Sequence, residues 1–82
     1  MAKYYIESGN FKKVVDATEP FEACMNAVSD CLDEYGTVDA GETFVVNEKG
    51  FPSERVPYVI DTMHEKFFSV NKVIDAVRER GY

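Results

Sequence analysis

Between Pro20 and Gly36 the apolar residues Phe21, Cys24, Met25, Val28, Cys31, Leu32 and Tyr35 recur at steps of three and four. That spacing predicts one amphipathic helix with a single buried stripe. Upstream, Asp16-Ala17-Thr18-Glu19-Pro20 reads as its start, with Thr18 or Glu19 as cap and Pro20 in the first turn, where a missing N–H costs nothing. Gly36 stands where a left-handed glycine cap belongs. Such a helix needs an apolar surface to lie on, and a chain of 82 residues buries only about 60 to 65 per cent of its unfolded surface, enough for one modest core.

The flanking segments supply that surface. Tyr4-Tyr5-Ile6-Glu7 and Phe11-Lys12-Lys13-Val14-Val15 enclose Ser8-Gly9-Asn10, and a two-residue Gly9-Asn10 loop suits a primed turn with positive φ at Gly9. This loop sets Lys3 opposite Asp16, Tyr5 opposite Val14 and Glu7 opposite Lys12. One face then carries two opposite-charge pairs around an apolar pair. The other carries Tyr4, Ile6, Phe11 and Val15 and is expected to face the core, with the stem of Lys13 reaching out past the sheet edge.

Beyond the first helix, Glu42 to Glu48 reads as a strand ended by Lys49-Gly50-Phe51-Pro52. Val56 to Ile60 has strand propensity but contains Pro57, which fits an edge strand or a loop. Thr62 and Glu65 have the spacing of a capping box for one helical turn. A strand from about Lys66 to Val70 and a helix from Asn71 to Arg80 follow, the helix with Val70, Val73, Ile74 and Val77 on one face and Gly81 behind it. The expected fold class is therefore α+β. It is one two-layer domain over residues 1–82, ordered strand-strand-helix-strand-strand-helix, with a mainly antiparallel sheet and both helices on one face.

Charge narrows the function classes. The net charge is −6, and between Val14 and Glu48 there are nine acidic residues and no Lys or Arg. Nucleic acid is not an expected partner, because phosphate contacts need clustered cations. No apolar run is long enough for a membrane span, and the first residues lack the apolar stretch of a secretory signal. The chain is accordingly expected in the cytoplasm, of a bacterial or phage-type host. Cys24 and Cys31 lie seven apart on one helix, about 10.5 Å along its axis, too far for a disulfide with each other. They read as small core residues.

No residue set with catalytic spacing stands out. The single histidine, His64, lies near Asp61 and Glu65, and it reads as an exposed loop residue ahead of any catalytic role. A Cys-His nucleophile pair would require cysteines that the helix pattern buries. Glycine-rich phosphate loops, CxxC pairs, G-x-S-x-G and HExxH are all missing from the sequence. Neither a cofactor nor a metal is expected, and the loop Gly36 to Glu42 lacks the alternating acids of an EF-hand. Tyr5, outward on the hairpin, is a lone candidate for stacking on bases and more simply packs on Val14. The run Thr18 to Val28, following a hairpin, is similar over eleven residues to the start of the helix in HicB-type antitoxin domains. It lacks the strand and glycine pattern that precedes that helix in the family, so no family is assigned.

One local violation remains. Asp30, Asp33 and Glu34 crowd the last turns of the first helix, where the macrodipole favours cations, and Asp30 and Glu34 repel at the i to i+4 spacing, together costing about 1 to 2 kcal/mol at low salt. Such violations persist where function needs them. The expected function is therefore a non-enzymatic protein-interaction module. Asp30, Asp33, Glu34, Asp39 and Glu42 would dock a basic protein, or an exposed sheet edge would accept a partner strand or a second copy of the chain. The alternatives are a small enzyme or ligand-binding subunit using His64 with Asp61 or Glu65, and an acidic mimic of nucleic acid.

Overall fold

A computed structural model describes residues 1–54 and 63–81. Strands β1 (Ala2–Ser8) and β2 (Phe11–Ala17) form the hairpin, followed by helix α1 (Pro20–Tyr35), strand β3 (Thr43–Asn47), a 3-10 turn (Pro52–Glu54), strand β4 (Glu65–Ser69) and helix α2 (Val70–Glu79). The expected α+β architecture is found. The four strands make one antiparallel sheet in the order β2-β1-β3-β4, and α1 packs on β2 and β1 while α2 packs on α1 and β4. The reading of Val56 to Ile60 and of Thr62 falls outside the described residues. Glu65 starts a strand, so it closes no capping box.

The hairpin register is the one the two-residue loop dictates, with Lys3 opposite Asp16, Tyr5 opposite Val14 and Glu7 opposite Lys12. Gly9 has φ 61° and Asn10 a negative φ, the pattern of a primed turn with glycine first. Tyr4, Ile6 and Phe11 enter the core with Phe44 and Val46 of β3, and Val15 packs at its margin. Phe11 and Phe44 meet edge to face, as do Phe21 and Phe68 at the far side, each pair with centroids 5.3 Å apart.

Helix α1 is capped by Glu19, whose carboxylate accepts the Glu22 N–H at 2.8 Å, and it ends at Gly36 with φ 75°. Its stripe buries Ala23, Cys24, Met25, Ala27, Val28 and Cys31. Tyr35 is a correction: the stripe should include it, but it is 68 % exposed. Helix α2 starts one residue earlier than expected, because the Val70 N–H donates to the Glu42 carbonyl (3.0 Å) at the start of β3 and the Ser69 side chain makes no cap. Both cysteines are unbridged and buried. Among the described residues no helix is long and apolar enough to cross a membrane.

Candidate interaction site

The outer face of the sheet, away from the helices, is partly closed by the segment after β3. Asn47 turns the chain there, its side-chain oxygen accepting the Lys49 N–H at 2.6 Å. Phe51 then lies edge-on against Tyr5 at 5.3 Å. The backbone N–H and hydroxyl of Ser53 both donate to the Glu7 carboxylate. Lys12 bridges Glu7 (3.7 Å) and Glu54 (3.6 Å) and lies over the Phe51 ring. Tyr5 lies opposite Val14, as the hairpin reading predicts. Phe51 also covers part of the Tyr5 ring. The only sequence signal for this strap was Pro52 following an aromatic, and the buried Glu7 it satisfies was not anticipated.

At the other side, along the outer edge of β2, a cleft of about 620 Å³ remains. Its floor is Asn10 to Val14, and its wall is Cys31, Glu34 and Tyr35 of α1 with Thr37 and Asp39 of the following loop. The antiparallel course of α1 over β2 brings the helix C-terminus to the start of the strand. The loop is held against the hairpin by the Gly41 N–H, which donates to the Ser8 carbonyl at 3.4 Å. A Cβ at Gly41 would come within 3.1 Å of the Ser8 hydroxyl, so glycine suits this approach. Cys31 points its thiol at the Thr37 carbonyl, 3.2 Å away, and seals the inner end.

β2 is an edge strand, and its hairpin phase decides which backbone groups it presents. In a two-residue hairpin the residues flanking the loop, here Ser8 and Phe11, exchange both hydrogen bonds, and the pattern alternates from there. Phe11, Lys13, Val15 and Ala17 therefore bond to β1, while Lys12, Val14 and Asp16 direct their N–H and C=O groups outward. No described strand pairs with that side. Lysines on an edge usually discourage pairing. Here Lys12 is drawn onto the outer face by Glu7 and Glu54, and Lys13 is drawn under the sheet to Glu34 at 3.9 Å. Both charges are pulled off the edge itself. Val14, between them and Asp16, is 41 % exposed.

Of the five acids expected to bind a partner, two line this cleft. Asp30, Asp33, Glu34, Asp39 and Glu42 are all exposed, and the two at the cleft are Glu34 and Asp39. The Glu34 carboxylate, accepting the adjacent Tyr35 hydroxyl, pushes that phenol above its usual range. Glu42 lies at the opposite end of the loop, where its carbonyl serves α2. His64 is partly buried in the turn before β4 rather than exposed as expected. Its neighbour Glu65 is buried and receives the Asn47 amide at 3.5 Å. Asp61 lies outside the described residues.

Among the described residues no group of His, Cys, Asp and Glu has the arrangement of a metal site. Compared with known protein families, curated proteins and solved structures, the chain matches none.

Proposed function

We propose that the chain is a non-enzymatic protein-interaction module that recognises an extended segment of a partner by strand addition along β2. The observation that supports this reading is the outward backbone of Lys12, Val14 and Asp16 beside a cleft with a helical wall. Main-chain hydrogen bonds to such an edge supply affinity, and the adjoining cleft reads alternate side chains of the added strand. Phe11 and the Tyr35 ring offer apolar contact to one of those side chains. Glu34 and Asp39 favour a cation in the cleft, in keeping with the acidic balance of the chain.

Display selection of peptides against sparsely immobilised protein, where copies do not meet, tests the reading. Selected peptides are expected to carry Lys or Arg within an otherwise strand-forming run. They should lose at least about tenfold in affinity to Val14→Pro, which removes one outward donor, and keep their affinity for Val14→Thr. Glu34→Lys with Asp39→Lys should shift the selected charge from basic to acidic. Peptides that bind wild type and Val14→Pro equally would overturn the use of this edge.

A further inference from the structure

The partner segment that best fits this edge is β2 itself. Resting on the strand-addition reading above, we infer that two copies of the chain pair their β2 strands antiparallel about a two-fold axis at Val14, joining two four-stranded sheets into one of eight strands. The inference comes from the residue order of β2, Phe11-Lys12-Lys13-Val14-Val15-Asp16-Ala17. With Val14 opposite its own copy, Lys12 of each chain lies opposite Asp16 of the other. All three facing pairs consist of residues whose backbone groups point outward, so each pair exchanges two hydrogen bonds. An isologous contact of this kind needs a self-complementary patch, and β2 is one.

The internal register extends the match across the sheet. Lys3 is opposite Asp16 and Glu7 opposite Lys12 within each chain. A row crossing the joint therefore reads Lys3, Asp16, then Lys12 and Glu7 of the second copy, with charge alternating at every step. The row through the axis reads Tyr5, Val14, Val14, Tyr5 and is apolar. Directly opposed opposite charges and apolar pairs are the pairs that stabilise antiparallel sheets. Other symmetric registers that keep the helices on one face lose this match. Centring on Lys13 opposes the two Lys13 side chains, and centring on Val15 places Asp16 against Val14 and Lys12 beyond the end of the strand. The Val14 register alone pairs both charges.

Sedimentation and site-directed cross-linking test the inference on the full chain. The wild type, 9.3 kDa per chain, is expected to sediment at twice that mass at high concentration. Val14→Cys should oxidise to a disulfide-linked dimer, because Cα atoms of a hydrogen-bonded antiparallel pair lie about 5.5 Å apart, within disulfide reach. Asp16→Cys alone should not cross-link, as the two copies of that position are offset by four residues, about 14 Å. Mixed with Lys12→Cys it should. Asp16→Lys should weaken the dimer at least about tenfold, and adding Lys12→Asp should restore it, with circular dichroism reporting the fold of each variant.

A dimer that cross-links in a register other than 14 with 14 and 12 with 16, or a chain that stays monomeric and forms no disulfide as the Val14→Cys variant, overturns the second copy as the occupant. In that event peptides sensitive to Val14→Pro would still uphold strand addition. Their absence as well would remove both.

Discussion

Single residues show how unevenly the core tolerates change. Phe44 is fully buried against Phe11, and Phe44→Ala is expected to cost about 3 to 5 kcal/mol in denaturant unfolding, the usual range for an aromatic core truncation. Cys24 is also fully buried, and burial, with Glu19 adding to it, pushes its thiol up to about 12. The folded state thus holds a proton that the unfolded chain releases near 9. Stability is therefore full below about pH 9 and falls as pH rises towards 12. Cys24→Ala should flatten that part of a stability profile. The burial of Tyr4, together with the nearby Glu48, raises its phenol and acts in the same direction above pH 10. At about pH 8 a thiol reagent should reach Cys24 only as fast as the protein opens globally.

At the scale of elements, α1 carries its acids against the macrodipole. Its last turn contains no basic residue, and the Lys13 to Glu34 contact from the neighbouring strand is the compensation the fold supplies. Asp30→Lys should replace the repulsion with Glu34 by an i to i+4 attraction. The expected gain is about 0.5 to 1 kcal/mol in thermal unfolding at low salt, shrinking at high salt. The strap from Lys49 to Glu54 is held mainly through Ser53. Ser53→Ala removes a hydroxyl from a largely buried carboxylate and is expected to cost about 1 to 3 kcal/mol, with Phe51 becoming more exposed to a fluorescence or exchange probe. Helix caps, hairpin turn and strand periods were legible in the sequence because each depends on neighbours within a few residues. The strap was not, since it rests on Glu7, a residue 46 positions away from Ser53.

For the whole molecule, sheet order sets which amides are protected. β1 and β3 are bonded on both sides, so their amides should exchange slowest. In dilute protein Lys12, Val14 and Asp16 should exchange fast while Phe11, Lys13 and Val15 remain protected, an alternation that hydrogen exchange by NMR reads directly. The same experiment at high concentration should slow the first three. Sequence alone determined the element order, the hairpin register, both helix faces apart from Tyr35, and the two cysteines as buried thiols, because turn length and hydrophobic period are local properties. Tertiary structure decided that β3 pairs with β1 and leaves β2 at the edge. It also brought Glu34 and Asp39 together at one cleft. Strand order and cleft shape depend on how distant segments compete for the same sheet face, and no local pattern of residues encodes the outcome of that competition.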